Sequence, residues 1–394
     1  MKLTKNHEPA LDGLRGIAII LVIISHFGLK NFVPGGFGVN LFFFISGLLI
    51  TRLMLIEYHE KGEISLKAFF ARRILRLYPA LLFFISICIL YLCLYGYQYL
   101  NIKEIIATLF YYRNYFPYLT EYNYPPKEFN VFHIVWSLAI EEHFYIVFPF
   151  LFVSLIKRPK LFIGILCILI ITALMWRLNI LNSHRGLIDS NLRNRIHYLT
   201  DTRFDAMLYG CLMSLLLFQS TGARLIKFIG NKWVMALALS LIVLSVVIRS
   251  DAFRESWRYS IQGIAFFIII PSILHNNLYS SIKKFFSTTW LIKIGKLSYS
   301  LYLFHWLGLC IASHFHSYNR TNLVWLTTAV STTIVLSLIS YHCIEIPTIR
   351  LRKRFGSNAS MQNSLNLREE NKLPRSLLFP NINISKFKGL LKYR

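Results

Sequence analysis

Long apolar blocks alternate with shorter polar connections along almost the whole chain. Such blocks predict membrane-spanning helices, because a helix needs about 20 predominantly apolar residues to cross the hydrocarbon core. The pattern predicts an all-α fold, a polytopic transmembrane bundle of about ten spans. The sixth span is short, and a weaker block at 102–112 is expected at the membrane interface. The spans lie near 11–29, 37–56, 79–99, 134–156, 160–178, 204–218, 233–249, 259–275, 297–314 and 322–344.

Composition agrees with this class. Only 15% of the 394 residues are charged, whereas soluble domains carry about 25%. The net charge of +25 could indicate nucleic-acid binding, but the cations lie between apolar blocks, which is typical of membrane topology. We therefore predict a lipid bilayer, and no nucleic acid, as a partner. The six cysteines all lie in apolar blocks, so no disulfide framework is indicated.

The distribution of Lys and Arg predicts the orientation of the chain. They are more frequent in the connections on the side of the N-terminus, although the connection containing Arg185–Arg195 runs against the trend. We predict that both termini are cytoplasmic, in a bacterial inner membrane. The first block shows no cleavage pattern of a signal peptide. Residues 1–349 form the predicted transmembrane domain, and residues 350–394 a basic cytoplasmic tail, predicted to be disordered.

The first span contains three ionisable residues, Asp12, Arg15 and His26. Arg15 and His26 are eleven positions apart, which returns the helix to within roughly 20° of the same direction, about 16 Å further along. Ionisable groups in hydrocarbon are costly unless they face partners or water, so a functional polar stripe facing inward is predicted. The alternative is an Asp–Arg pair at the headgroups and a single core histidine.

Polar residues of other spans are expected at the same middle to outer depth as His26. Imidazole titrates near neutral pH, which makes His26 the natural general base or transient acyl carrier for a reaction at a hydroxyl. Tyr299 and His305 either contact substrate or form hydrogen bonds between helices. The spacing of His133, Glu142 and His143 is not that of a metal motif, so no metal is predicted. The residues expected to converge are Asn40, Glu141, Arg203, Asp205 and His305.

A cluster of arginines lies at the inner end of the bundle. Arg72 and Arg76 are predicted on one helix face with Arg73 beside them, close to the level of Arg15. Guanidinium groups bind phosphates in a fork geometry, so this cluster suits a polyanionic donor. The alternative is that these cations only follow the positive-inside rule.

Seven motifs in this order resemble the acyltransferase-3 family of membrane O-acyltransferases, which acylate sugars of surface polysaccharides, lipopolysaccharide and peptidoglycan. The resemblance covers about Pro9–Arg350. Asn40 departs from the pattern, since the family often has Asp there and Asn lacks the charge. The motifs are Arg15-x10-His26, GVNLFFFISG at Gly38–Gly47, RRILRLYPA at Arg72–Ala80, WSLAIEEHFYIVFP at Trp136–Pro149, TRFDAMLYG at Thr202–Gly210, LSYSLYLFH at Leu297–His305 and Glu345–Pro347.

The resemblance implies an O-acyltransferase, most simply an O-acetyltransferase, that moves an acyl group from cytoplasmic acyl-CoA to a glycan hydroxyl, with no tightly bound cofactor. It selects Glu141 over Glu142, and it implies catalytic roles for Arg15, His26 and Glu141. The chain resembles those members that lack an additional extracytoplasmic hydrolase-like domain. The residues expected to bind substrates are Arg72, Arg73, Arg76, Asn40, Trp136, Ser137, Arg203, Asp205, Tyr299 and His305.

Two other classes of function fit the same apolar pattern. A transporter or flippase for a lipid-linked glycan would also place charges inside a helical bundle. A non-enzymatic membrane scaffold would tolerate substitution of Arg15 and His26. Release of thiol from acetyl-CoA would separate the enzyme from both.

Overall fold

The structure is a computed structural model that describes residues 8–29, 35–120, 122–184, 188–316 and 322–352. These residues form helices and connections, with no strand among them. The ten principal helices are α1 (Pro9–Ile24), α2 (Gly35–Lys61), α3 (Leu66–Tyr95), α4 (Trp136–Leu155), α5 (Pro159–Ser183), α6 (Asp205–Phe218), α7 (Lys232–Val247), α8 (Trp257–His275), α9 (Thr289–His316) and α10 (Leu323–Ser340). Shorter helices are Ile102–Leu109, Phe116–Leu119, Ser190–Tyr198, Gly222–Ile229, Asp251–Glu255, Ser280–Phe286 and Ile346–Arg352.

Each of the ten predicted spans corresponds to one principal helix, and the all-α prediction is confirmed. Among the described residues, seven helices are long and apolar enough to cross a membrane. An eighth is obtained if α7 is joined to Gly222–Ile229, from which it is bent by 68°. The two remaining predicted spans are α6, which has only 14 residues, and α9, which is interrupted by Lys, Ser and His. The chain is therefore a multi-pass membrane protein, and about ten spans is slightly more than the helices alone support.

Two helices begin earlier than hydropathy indicates. α3 starts at Leu66, where the Ser65 side chain accepts a hydrogen bond from the Ala68 N–H, and α9 starts at Thr289. In both, a basic first section continues directly into the apolar section, so Arg73 and Arg76 belong to α3 itself. The 102–112 block contains the eight-residue helix Ile102–Leu109, which is too short to span. The predicted tail falls, beyond Arg352, outside the described residues.

α1 packs against both α2 and α9. α2 packs along α6, α9 along α10, and α7 along α8. Of the seven apolar helices, α2 is the most buried, while α5 and the α10 region are the most exposed at the periphery. The ionisable residues of α1 therefore lie inside the protein, as a polar stripe in hydrocarbon requires.

α1 ends beside His26 in a wider π-helical turn, Ser25–Leu29. Gly28 within this turn has φ of 144°, a conformation that side chains other than glycine rarely adopt. His26 belongs to this turn, and the backbone leaves helical geometry at Gly28, so the imidazole lies at the end of α1 opposite to Arg15.

The contact between α2 and α6 depends on glycine. A Cβ at Gly47 would lie 2.0 Å from the Met207 carbonyl oxygen, and one at Gly210 would lie 2.1 Å from that of Phe44. Small residues let helix backbones approach closely where lipid supplies no hydrophobic driving force. Gly47 therefore provides the close helix contact that allows the short α6 to pack on α2.

Replacing Gly47 by alanine is expected to destabilise the protein by about 1–3 kcal/mol, because the backbones of α2 and α6 must separate. The matched control is Gly164→Ala in α5, where an added Cβ meets no atom within 4 Å. Thermal unfolding in detergent should show a lower midpoint for Gly47→Ala and an unchanged or higher midpoint for Gly164→Ala. Equal midpoints would contradict this account of the contact.

Candidate active site

A cavity of about 100 Å³ lies among α1, α2, α3, α4 and α9. Most of its wall is apolar, supplied largely by Phe and Leu side chains of α2. Against this background a few polar groups converge, which is the usual composition of a small-molecule site. They are Arg15, Ser46, Arg73, Arg76, Ser137, Glu141, Tyr145, Ser298, Tyr299 and Tyr302.

Three guanidinium groups, those of Arg15, Arg73 and Arg76, face this cavity. None of the three forms an ion pair with another described residue, whereas most buried charges in proteins are paired. The Arg73 guanidinium lies 4.4 Å from the centre of the Tyr145 ring, which holds it in place without neutralising it. Because Glu141 is the one carboxylate in the described wall, the cavity is positively charged and suited to an anion.

Arg72 is not brought to this cavity. Its guanidinium lies 2.9 Å from a carboxylate oxygen of Glu57, near the end of α2, and Glu57 is only 6% exposed. Adjacent helix positions point about 100° apart, so Arg73 faces the cavity while Arg72 faces α2. The sequence predicts Arg72 and Arg76 on the helix face toward the ligand, but the structure places Arg73 and Arg76 at the cavity.

Glu141 lines the cavity, and Glu142 does not. One oxygen of the Glu141 carboxylate accepts hydrogen bonds from the hydroxyls of Ser46 and Tyr145. Sequence reasoning missed both donors, although Tyr145 lies one helical turn after Glu141 and could have been found from that spacing. These contacts fix Glu141 at the cavity, and they do not join it to His26.

His26 pairs with His305 of α9. The two rings are stacked with centroids 5.1 Å apart, and His26 Nδ1 lies 3.0 Å from His305 Nε2. His305 Nδ1 faces the carbonyl oxygens of Tyr302, at 2.7 Å, and Leu301, at 3.2 Å. Carbonyls only accept, so His305 Nδ1 carries the proton and its Nε2 accepts from His26 Nδ1–H. Neutral His26 then has its basic lone pair on Nε2.

Arg15 lines the cavity and His26 does not, so this cavity does not follow the whole of the predicted polar stripe on α1. The two are linked through α9. Tyr302 lines the cavity, its hydroxyl lies 2.5 Å from Ser137 Oγ, and its ring is 5.4 Å from that of His305. On this route the side chains of Tyr302 and His305 lie between His26 and the cavity, which we call the arginine cavity after Arg15, Arg73 and Arg76.

Tyr299, Ser137 and Ser298 also lie at the cavity. The Tyr299 hydroxyl donates to the carbonyl oxygen of Leu77, at 2.9 Å, which ties α9 to α3. The Ser298 hydroxyl is buried and has no hydrogen-bond partner among the described residues, so it is available to a ligand.

Asn40, Arg203 and Asp205 form buried links between helices and do not line the cavity. Arg203 donates to the Asn40 side-chain oxygen, at 2.7 Å, and Asn40 donates to Gln262, at 2.6 Å. Asp205 is 2.8 Å from Arg177, a pair that is wholly buried. These contacts give the polar groups at those positions a structural role. Both ends of the Asn40 amide are engaged, so its geometry is not that of a general base.

Trp136 points away from the cavity, although the adjacent Ser137 lines it. Its ring packs 5.1 Å from His197 and 5.0 Å from Tyr198, and the Arg203 guanidinium lies 5.7 Å away. Among the described residues, no group of three or more His, Cys, Asp or Glu side chains is placed to hold a metal ion.

Comparison with known proteins decides the family. The family model described as an acyltransferase domain, Acyl_transf_3, matches residues 8–342. The chain belongs to the acyltransferase-3 family. The match includes every residue of the arginine cavity and the His26–His305 pair.

Individual relatives in this family come from Staphylococcus aureus. A protein of strain MSSA476, named only provisionally as an O-acetyltransferase, is 34% identical over 363 residues, covering 86% of this chain. The O-acetyltransferase OatA of strain NCTC 8325 / PS 47 is 32% identical over 360 residues, also covering 86%. The match spans 57% of the length of each relative. No solved structure matches.

Proposed function

We propose that this acyltransferase-3 family member is an O-acyltransferase that takes an acyl group, in the simplest case acetyl, from acyl-CoA and transfers it to a hydroxyl of a glycan. The observation that carries the proposal is the cavity in which Arg15, Arg73 and Arg76 converge without ion pairs. CoA presents several phosphates at one end and its thioester at the end of a long, uncharged arm. That division matches a cationic cavity and a histidine that are separated by the side chains of Tyr302 and His305.

The direction of donor entry follows from charge. Lys283, in the helix Ser280–Phe286, lies 3.1 Å from Glu8 at the start of α1, so the lysines of that helix and Arg15 belong to the same end of the bundle. Connections rich in Lys and Arg face the cytoplasm. The donor phosphates would therefore bind from the cytoplasm, and His26 would face the opposite side, where a surface glycan is accessible.

The chemistry assigned to His26 uses the lone pair on Nε2. In direct transfer, Nε2 takes the proton of the glycan hydroxyl while the oxygen attacks the thioester carbonyl, and CoA leaves as the thiolate. In transfer through an acyl-histidine, Nε2 itself attacks the thioester carbonyl and CoA leaves as the thiolate. The glycan hydroxyl then attacks the acyl-imidazole and displaces the imidazole, and its proton passes to the CoA thiolate. His305 holds the required tautomer of His26 in either route.

Replacing His26 by alanine is expected to reduce acetyl transfer at least 100-fold, since a positioned general base contributes about 10²–10⁴ in rate. The assay measures labelled acetyl transferred from acetyl-CoA to membrane glycan, together with thiol release. His184→Ala is the matched control, because His184 is exposed at the end of α5. Undiminished transfer by His26→Ala at equal protein levels would contradict the proposal.

Transport of a lipid-linked glycan is separated by the same assay. A flippase would move its substrate without protein-dependent release of thiol from acetyl-CoA. If purified wild-type protein in lipid nanodiscs released no thiol in the presence of membrane glycan, the proposed acyltransferase function would fail.

A further inference from the structure

Aromatic rings continue from His26 along the end of the bundle opposite to Arg15. Trp306 packs on His26 with centroids 5.3 Å apart, and His133 packs on Trp306 at 5.0 Å. Tyr198 follows at 5.2 Å from His133, and it lies 4.9 Å from His197. We call the continuous set the ring cluster: His26, Trp306, His133, Tyr198, Trp136 and His197.

Two members of the ring cluster are buried, and the other four are partly exposed. Trp136 and Trp306 are only 6% and 8% exposed, and the Trp306 N–H donates to the Asn130 carbonyl oxygen at 2.8 Å. His26, His133, His197 and Tyr198 are all half-buried. Rings that expose one side while carrying nitrogen or hydroxyl groups combine an apolar surface with hydrogen bonding. A sugar ring presents the same combination of apolar C–H groups and hydroxyls.

The cations near the ring cluster are buried or engaged by the protein itself, and Arg203 is fully buried. Arg203 is engaged by Asn40 and by the His197 carbonyl oxygen, and Arg258 lies 3.9 Å from Glu255. Burial lowers the pKa of His197 to about 4, so its ring is neutral at physiological pH. The arginine cavity differs, because there the side chains of Arg15, Arg73 and Arg76 line the cavity itself.

We propose that the ring cluster is the acceptor subsite and that it binds uncharged sugar residues, with one sugar ring against Tyr198 and an acceptor hydroxyl of a neighbouring sugar directed to His26. This inference rests on the proposed function and specifies the substrate class of its second site. The argument for this site is its position. The ring cluster includes His26, the proposed general base, and lies at the other end of α1 from the arginine cavity. Tyr198 is a substrate-binding residue in this account.

The experiment uses purified full-length protein in lipid nanodiscs with acetyl-CoA as donor. The acceptor probes are a neutral tetramer of N-acetylglucosamine and an anionic oligogalacturonate of equal length. For wild-type protein we expect labelled acetyl on the neutral tetramer and at least tenfold less on the anionic one. Tyr198→Ala should raise the KM for the tetramer about tenfold and change the KM for acetyl-CoA less than twofold.

Two further variants keep the result interpretable. Tyr198→Phe retains the ring, so we expect a KM for the tetramer within threefold of wild type. Tyr97→Ala, at a tyrosine that is 72% exposed and outside the ring cluster, should leave both KM values unchanged.

The proposal is overturned by an unchanged KM in Tyr198→Ala, by preference for the anionic probe, or by thiol release that neither saccharide increases. If Tyr198→Ala fails to fold, the preference of wild-type protein for the neutral over the anionic probe still decides it. These failures differ from failure of the proposed function, in which wild-type protein would release no thiol with any acceptor, membrane glycan included.

Discussion

Replacing Arg73 or Arg76 by glutamine should raise the KM for acetyl-CoA by about 10- to 100-fold. Both guanidinium groups face the arginine cavity, and hydrogen bonds to charged groups are worth about 1.5–3 kcal/mol. At 1.4 kcal/mol for each factor of ten, that range corresponds to the stated increase. Thiol release measured against acetyl-CoA concentration gives the KM. Because the residues would bind the phosphates, kcat should change much less than KM.

The neighbouring Arg72 is the matched control. Its guanidinium is held by Glu57 outside the cavity, so Arg72→Gln should leave the KM for acetyl-CoA within about threefold of wild type and lower thermal stability instead. Acetyl-3′-dephospho-CoA tests the contact directly, since a residue that binds the missing phosphate should show a smaller effect with it. Equal KM increases in the Arg72, Arg73 and Arg76 variants would contradict the assigned geometry.

Replacing His305 by leucine should lower kcat about 100-fold with little change in the KM for acetyl-CoA. Leucine cannot accept the hydrogen bond from His26 Nδ1–H, so the tautomer with its lone pair on Nε2 is no longer held. His305 acts here as a positioning residue. The measurement is kcat for acetyl transfer across pH, because a change in the hydrogen bonding of His26 should also displace the pH–rate profile.

His305→Gln is the conservative variant. Its side-chain oxygen can accept from His26 Nδ1–H, so we expect it to recover at least tenfold of the kcat lost in His305→Leu. If leucine and glutamine gave the same kcat and the same pH profile, His305 would have only a packing role beside His26.

Hydropathy was sufficient to predict the fold class and one helix for each apolar block. It could not give the true starts of α3 and α9, because charged side chains end an apolar window while the helical backbone continues through them. Arg73 and Arg76 therefore belong to the same rigid helix as the apolar residues that follow them. Hydropathy also could not give the number of helices that cross the membrane completely, since the position of the 14-residue helix α6 depends on tertiary packing.

The candidate site was predictable only in part, and the reason is geometric. The sequence indicates that Arg72, Arg73 and Arg76 lie on neighbouring faces, but the choice among them depends on Glu57 from another helix. The His26–His305 pair joins residues 279 positions apart, which no local pattern can place. The packing of the rings of His133, Tyr198 and Trp306 could not be predicted for the same reason, because it joins three distant parts of the chain.

The shortness of α6 has a consequence for biogenesis. Fourteen residues extend about 21 Å, which is less than the roughly 30 Å hydrocarbon core that an independent span must cross. Asp205 at its first turn is buried against Arg177 of α5, and its glycine contact is with α2. During synthesis this segment should therefore remain with the insertion machinery until α2 and α5 have already partitioned into lipid, so that it enters the bilayer by docking on partners and not by its own hydrophobicity.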